Sequence, residues 1–303
     1  MTNRQPKRII VTTDFSNNAA NAYPYAFAMA RHYGAEVTLL HVITVHADLV
    51  DSATADETSD TYVNTLEESA KRKLDDEDVG DTSGVTVNRT VARGQTASAG
   101  TIAYASDHGA DLIVISSHGR RVLGQILLGS VTRNVIVEAP CPVLCVKSRE
   151  SGLLDDANQH LDLSRILIPT DWSDQCRGAL ETALTLSEGL NPTIYLLHVV
   201  HFDPPATIFI PPGRPSVFHL DPDMRERILK HMDEWAQGAR SSGVEVKTDV
   251  LEGTPAREIS KYADQHDIDL IVLGRRCSAD EPSFLGSVAL RLLHEAHRPM
   301  LIV

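Results

Sequence analysis

A glycine- and serine-containing segment in the first half of the chain has residue types suited to binding an anion. Ser116-Ser117-His118-Gly119 ends an apolar run, nine residues follow, and Gly129-Ser130-Val131 comes next. Glycine lets the backbone approach a phosphate group closely, and a helix that begins at Ser130 directs free N–H groups and a positive dipole end toward an anion. The Ser130 hydroxyl either caps that helix or contacts a phosphate oxygen. The alternative interpretation is a plain loop-to-helix junction.

The elements that must position this segment occur twice along the chain. Residues 8–43 align with residues 165–200 without a gap, so that Asp14 matches Asp171 and His41 matches His198. Three later segments also match in order: 108–119 with 266–277, 127–131 with 284–288, and 141–146 with 298–303. Ordered matches of this kind indicate a duplication. We therefore divide the chain into a first repeat (residues 1–147), a polar linker (148–164) and a second repeat (165–303).

Each repeat alternates short apolar runs with helical segments. The runs that begin at Arg8 and Arg165 are typical of strands buried on both faces, and Ser16 and Ser173 follow them as predicted helix N-caps. Such alternation predicts an α/β fold, with a doubly wound parallel sheet in each repeat. Each repeat ends on an apolar strand that needs a cover, and the simplest cover is the equivalent strand of the other repeat. The sequence thus predicts an intramolecular pseudo-dimer, with ligands at the carboxyl ends of the strands where the strand order reverses.

The glycine spacing resembles that of the universal stress protein family, whose nucleotide-binding members carry G-x2-G-x9-G-(S/T). Gly119, Gly129 and Ser130 match this pattern, and Ser116 stands where the first glycine belongs. The resemblance implies Rossmann-like domains that bind ATP or another adenine nucleotide, possibly with Mg²⁺. It also implies that Asp14 meets the nucleoside and that the backbone at Val42 contacts adenine. Asp14 has an alternative role as a partner of the helix dipole. The implied binding residues of the first repeat are Thr12, Thr13, Asp14, Val42, Ser116, Ser117, Gly119, Gly129, Ser130 and Val131.

The second repeat departs further from the family pattern. Gly274 restores the first glycine, but Cys277 replaces the second, and only eight residues separate it from Gly286. Arg275 and Arg276 either compensate electrostatically or fill the site themselves. The residues of the second repeat that the resemblance implies for binding are Pro169, Thr170, Asp171, Val199, Gly274, Gly286, Ser287 and Val288. Binding is expected more strongly in the first repeat than in the second.

Composition limits the classes of partner. The net charge of −13 argues against nucleic acid and against anionic membranes, both of which repel an acidic surface. The first eight residues contain no signal-peptide core, and no apolar run reaches the length that spans a bilayer. We therefore expect a cytoplasmic protein. Cys141 and Cys145 lie four residues apart on a predicted strand, too far for a disulfide, and the cysteines do not have zinc-ligand spacing.

Three functions are compatible with these features. The first is a stress-response sensor or regulator, in which nucleotide occupancy shifts the pairing of the repeats or contacts with an unidentified protein partner. The second is a weak ATPase, which is less favoured because the sequence offers no positioned general base or metal pair. The third is an interaction or structural protein that has lost nucleotide binding, an alternative that Ser116 and the short second loop keep open. His41 and His198 are interpreted as structural. The proline-rich segment 202–224 is expected to cover the pseudo-dimer or a further protomer of a homo-oligomer.

Overall fold

The computed structural model describes residues 5–45, 57–117, 128–147, 153–154, 160–201, 220–275 and 285–303. Strands and helices alternate in both repeats. The elements of the first repeat are β1 (Arg8–Thr12), α1 (Asn17–Ala20), α2 (Tyr23–Tyr33), β2 (Glu36–Thr44), α3 (Glu57–Asp76), β3 (Val87–Gly94), α4 (Ala97–Asp107), β4 (Leu112–Ser116), α5 (Ser130–Glu138) and β5 (Val143–Val146). Those of the second are β6 (Arg165–Pro169), α6 (Asp174–Leu186), β7 (Thr193–Val200), α7 (Pro222–Ser241), β8 (Glu245–Glu252), α8 (Pro255–Gln265), β9 (Leu270–Leu273), α9 (Ser287–Glu295) and β10 (Met300–Ile302).

These strands form one continuous sheet in the order β3-β2-β1-β4-β5-β10-β9-β6-β7-β8. Neighbouring strands within a repeat are parallel, whereas β5 and β10 pair in antiparallel fashion with Leu144 opposite Leu301. The strand order reverses between β1 and β4 and again between β6 and β9. The predicted α/β fold and the predicted pairing of the two final strands are both confirmed.

Helices cover both faces of the sheet. One apolar cluster joins the strands to α2, α3, α6 and α7, and the other joins them to α4, α5, α8 and α9. The central strands are accordingly apolar on both sides; β4, for example, is buried along its whole length. Ser16 accepts a hydrogen bond from the amide of Ala19, and Ser173 accepts one from the amide of Cys176, so both predicted N-caps are present.

The described part of the linker is more buried than its polar composition suggests. Leu153 and Leu163 belong to the core, and the amide of Asp162 donates to the carbonyl of Leu153 at 2.8 Å. The boundaries at 147, 148, 164 and 165 remain predictions. The linker segment between these boundaries contributes Leu153 and Leu163 to an apolar cluster that contains residues of both repeats.

Several properties follow from the described residues alone. None of their helices is long and apolar enough to cross a bilayer, and none of their His, Cys, Asp and Glu side chains form a group able to hold a metal ion. Cys141, Cys145 and Cys176 are buried free thiols. The proline-rich prediction for residues 202–224 falls mostly outside the described residues.

Candidate functional site

The carboxyl ends of β1 and β4 bring the predicted strand-end residues of the first repeat together. Val11 pairs with Val114, and two residues further along each strand come Thr13 and Ser116. Adjacent strands lie about 4.8 Å apart, so these two residues share one edge of the sheet. The second repeat has the same arrangement: Leu167 pairs with Ile271, and three residues on come Thr170 and Gly274. Thr12 and Pro169 are the last residues of β1 and β6.

Helices α5 and α9 begin at this edge, each directly after a glycine N-cap. Gly129 is the N-cap of α5, with φ −60° and ψ 142°, and Gly286 is the N-cap of α9, with φ −54° and ψ 144°. A glycine has no side chain to cap a helix, so the first N–H groups of both helices receive no capping bond from it. Ser130 and Ser287 are the first helical residues and are exposed. Val131 and Val288 follow them in the first turn. We call Gly129-Ser130-Val131 the α5 cradle and Gly286-Ser287-Val288 the α9 cradle.

Two hydrogen bonds attach the α5 cradle to the end of β4. The amide of Gly129 donates to the carbonyl of Ser117 at 3.2 Å, and the buried hydroxyl of Thr132 donates to the carbonyl of Ser116 at 3.0 Å. The position equivalent to Thr132 in the second repeat is Ala289, which has no hydroxyl. No motif marks Thr132, although a hydroxyl that aligns with alanine in the other repeat is a signal that a comparison of the repeats can detect.

The Ser116 side chain is an unusual feature of this edge. Only 7% of the residue is exposed, and its hydroxyl oxygen has no hydrogen-bond partner among the described residues. Buried hydroxyl groups are normally paired, because leaving one unpaired costs about 1–3 kcal/mol. The equivalent position in the second repeat, Gly274, carries no side chain.

The turn after β1 holds Asp14 at the same edge. The Asp14 carboxylate accepts a hydrogen bond from the amide of Ser16 at 3.0 Å, and the Thr13 hydroxyl accepts one from the amide of Phe15 at 3.0 Å. These bonds support a left-handed backbone at Phe15, with φ 61°, which is uncommon for a bulky side chain. The second repeat builds the same turn, with φ 70° at Trp172. Asp14 itself is exposed at the edge.

Beneath this turn, the first repeat has a polar cluster that no sequence motif indicates. The Tyr23 hydroxyl lies 2.6 Å from the Thr13 hydroxyl and 2.8 Å from a carboxylate oxygen of Glu77. Burial raises the pKa of Tyr23 well above its ordinary value, so the hydroxyl keeps its proton. Leu180 aligns with Tyr23, so this cluster has no counterpart in the second repeat.

His41 and His198 have the structural role expected for them. The Nδ1 atom of His41 donates to the carbonyl of Thr13 at 2.8 Å, and that of His198 donates to the carbonyl of Thr170 at 2.7 Å. Burial lowers the pKa of both imidazoles, which favours their neutral forms. Val42 and Val199 follow them on β2 and β7. The side chain of Val42 fills the space above Gly100, where an added Cβ atom would lie 2.5 Å from Val42 Cγ1.

Asp171, the counterpart of Asp14, has an additional partner. Its carboxylate oxygen Oδ1 accepts from the amide of Ser173 at 3.0 Å and from the thiol of Cys176 at 3.1 Å. Burial raises the pKa of the Cys176 thiol, which therefore remains protonated as the donor. The first repeat has Ala19 at this position. Asp171 is thus more firmly held by its own repeat than Asp14 is.

Arg275 corrects one expectation. Its guanidinium binds the first repeat instead of filling the second site: Nη1 donates to the carbonyl of Ala139 at 2.6 Å and Nη2 to that of Cys141 at 3.1 Å. The Ala139 carbonyl lies at the end of α5, where unpaired acceptors and the negative dipole end attract a cation, and Cys141 lies in the connection from α5 to β5. Gly119, His118, Arg276 and Cys277 lie outside the described residues, so the predicted loops between each strand and its cradle stay predictions.

Comparison with known proteins agrees with this architecture. The model of the universal stress protein family matches residues 6–147 and again residues 163–303. A universal stress protein of Mycolicibacterium smegmatis is 26% identical over 97% of this chain and 96% of its own length. One of Methanocaldococcus jannaschii is 35% identical over 48% of this chain and 97% of its own length.

A solved structure has the same fold over the full length. The universal stress protein of Archaeoglobus fulgidus superposes with a TM-score of 0.64 and 19% identity, covering 99% of this chain and 96% of its own. The two family matches together span nearly the whole sequence, one over each repeat. This chain therefore belongs to the universal stress protein family, with two copies of the family's domain in tandem.

Proposed function

We propose that the first repeat binds an adenine nucleotide, ATP or a close relative with or without Mg²⁺, and that the chain acts as a cytoplasmic stress-response sensor or regulator. The observation that carries this proposal is the meeting of two features at the β1–β4 switch point. The α5 helix begins there behind Gly129, and the buried Ser116 hydroxyl has no partner there among the described residues. A phosphate group suits the helix terminus, and a polar group of the same ligand can pair the hydroxyl.

The first repeat offers the remaining contacts in positions that suit a nucleotide. Asp14 is exposed at the edge beside Thr13, and Val42 lies on the neighbouring strand β2. Switch points between parallel strands are where doubly wound folds bind such ligands. We assign Asp14 to the nucleoside, the backbone at Val42 to the adenine ring, and the α5 cradle to the phosphates.

For the second repeat we propose an interaction or supporting role instead. Asp171 accepts from the Cys176 thiol, and Arg275 is directed toward the first repeat. Thr132 attaches the α5 cradle to β4 through its hydroxyl, and its counterpart in α9, Ala289, has no hydroxyl to do the same. Nucleotide bound in the first repeat then changes the contacts that the paired repeats offer to a protein partner, and we expect close to one nucleotide per chain.

A matched pair of variants tests the assignment. Gly129→Val and Gly286→Val place the same bulky side chain at the two N-caps. Both glycines have extended backbone angles that valine adopts freely, so the two changes cost similar stability, about 1 kcal/mol at most. We expect Gly129→Val to abolish binding of Mg-ATP in equilibrium dialysis and Gly286→Val to leave the affinity within twofold. Normal binding by Gly129→Val would show that the α5 cradle does not hold the phosphates.

Fluorescence gives a second reading of which repeat is occupied. The chain has two tryptophans, and both Trp172 and Trp235 lie in the second repeat. Trp172 directly follows Asp171, so a ligand at the second site should change its emission. We expect Mg-ATP to bind with little change in tryptophan emission. A saturable emission change that Gly286→Val removes would instead place the nucleotide in the second repeat, and absence of any binding would refute the proposed function.

A further inference from the structure

Arg275 belongs to the second repeat, yet its side chain ends in the first. It directly follows Gly274 at the carboxyl end of β9, where its backbone amide donates to the carbonyl of Val303 at 2.8 Å. From there the guanidinium makes the two bonds described above, to the carbonyls of Ala139 and Cys141. Two N–H donors on two carbonyls fix both the distance and the direction of this contact, because the guanidinium is a rigid planar fork.

The first of these carbonyls belongs to the C-cap residue of α5. Helix α5 has nine residues, so a length of only about 14 Å separates Arg275 from the α5 cradle. A helix this short behaves as a rigid body when one face is packed. Val135 and Ile136 are fully buried on that face. A displacement of its last turn therefore moves its first turn as well.

Helix α5 is thus fixed at both ends by polar contacts. Thr132 and Gly129 attach its beginning to the end of β4 within the first repeat, and Arg275 attaches its end from the second repeat. The equivalent of Arg275 in the first repeat is Ser117, whose short side chain cannot span the same distance. The first repeat reaches the end of α9 through a different residue, Lys147, which donates to the carbonyl of His294 with a single ammonium and not a guanidinium fork.

We infer that Arg275 is a positioning residue for the nucleotide site of the first repeat, acting through α5 from the other side of the pseudo-dimer. This inference rests on the proposed function of the α5 cradle and gives the second repeat a defined part in it. It also makes the affinity of the first site depend on how the two repeats are paired. Mutations between coupled sites typically change such couplings by 0.5–2 kcal/mol, which corresponds to about 2- to 30-fold in affinity.

Three variants of the full chain test the inference. Arg275→Ala removes both bonds, and Arg275→Lys keeps the charge but not the fork. Arg298→Ala is the matched control, because Arg298 is an arginine of the second repeat whose partners, Asp264 and Asp267, lie in that repeat. We expect Arg275→Ala to weaken Mg-ATP binding about tenfold, Arg275→Lys to restore part of the loss, and Arg298→Ala to change affinity less than twofold.

Hydrogen exchange of the ligand-free proteins supplies a reading that does not depend on nucleotide. We expect the backbone amides of α5, above all that of Ala139, to exchange faster in Arg275→Ala than in Arg298→Ala. Equal α5 exchange in the two variants, or equal affinities, would overturn the inference. If the wild-type chain binds no Mg-ATP, the proposed function fails, and the exchange rates alone decide whether Arg275 holds α5. If Arg275→Ala does not fold, Arg275→Lys is compared with Arg298→Ala in both measurements.

Discussion

The first repeat places polar side chains beneath the carboxyl edge of its sheet, whereas the second repeat places aromatic rings there. Thr13, Tyr23 and Glu77 form a hydrogen-bonded cluster in the first repeat. In the second, Trp172 contacts the rings of His231 and Trp235 at centroid distances of 4.8 and 5.9 Å. The backbone turn above is the same in both. The duplication has thus preserved the backbone frame of this edge, while the residues beneath it have diverged.

The amino edges of the two repeats differ in how tightly they are packed. Tyr195 is buried in the second repeat, with centroid distances of 6.2 Å to Tyr262 and 5.4 Å to His266. Its counterpart in the first repeat is Thr38, which lines a groove of about 550 Å³ beside Tyr104. The second repeat is therefore better packed than the first at the amino edge of the sheet.

The packing difference predicts the largest change in stability. Tyr195→Thr should lower the free energy of unfolding by about 3 kcal/mol, because it removes a buried ring and leaves a cavity. Thr38→Tyr should change it by less than about 1 kcal/mol, since the open groove accommodates the added ring without overpacking. Urea denaturation measures both. Comparable losses from the two substitutions would show that the repeats are equally packed at this edge.

The polar cluster predicts a smaller loss. Tyr23→Phe removes the hydroxyl that lies between Thr13 and Glu77, and bonds to a charged partner contribute about 1.5–3 kcal/mol, so we expect a loss of about 2 kcal/mol. Tyr62→Phe is the control, because Tyr62 is 55% exposed and its change should stay within about 0.5 kcal/mol. If Tyr23→Phe behaves like Tyr62→Phe, the cluster does not stabilise the first repeat.

The sequence predicts the frame of this molecule better than its details. Hydrophobic runs and ordered repeat matches predict the parallel, doubly wound sheet of each repeat, the N-caps at Ser16 and Ser173, and the pairing of the last strands. These features depend on local pattern and on covering an apolar edge. Side-chain direction across an interface has no such pattern. Arg275 lies beside a predicted phosphate loop in sequence, and only the pairing of β5 with β10, next to β9, reveals that it reaches α5.

The candidate site shows the same division. The glycine spacing indicates where the α5 cradle begins, and the structure does start α5 at Ser130. The sequence does not indicate that Thr132, Tyr23 and the Phe15 turn belong to this edge, because their contacts join residues that are distant in sequence or depend on a rare backbone conformation. A position-by-position comparison of the repeats is the sequence signal that points to them. Thr132 and Tyr23 align with the apolar residues Ala289 and Leu180, whereas Phe15 aligns with another aromatic residue, Trp172.

Two of the contacts that cross between the repeats, those of Arg275 and Lys147, differ in how they respond to pH. Arg275 holds the end of α5, while Lys147 holds the end of α9 by donating to the carbonyl of His294 at 3.0 Å. Arginine keeps its charge throughout the accessible range. Burial lowers the pKa of Lys147 from 10.5 to about 8, against the smaller opposing effects of Cys145 and Glu295. Only the α9 contact should therefore titrate under mildly alkaline conditions.

The sign of the effect follows from proton binding. Between pH 8 and 10.5 the folded chain has released the Lys147 proton that the unfolded chain still holds, so the unfolded state binds more protons and stability rises with pH. Below pH 8 both states are charged, and the cost of burying the ammonium is fully present. Because Lys147 is partly solvated, we expect a gain of only roughly 1 kcal/mol across this window.

The Lys147→Met variant separates the contribution of Lys147 to the pH dependence of stability from that of other groups that titrate in the same range. The difference in unfolding free energy between wild type and Lys147→Met, measured by urea denaturation at several pH values, should shift in favour of wild type as the pH rises from 8 to 10.5. Arg275→Met, compared with wild type in the same way, should give a difference that does not vary with pH. A constant difference for Lys147→Met as well would mean that its ammonium is hydrated rather than buried, and that the two cross-repeat contacts are electrostatically alike.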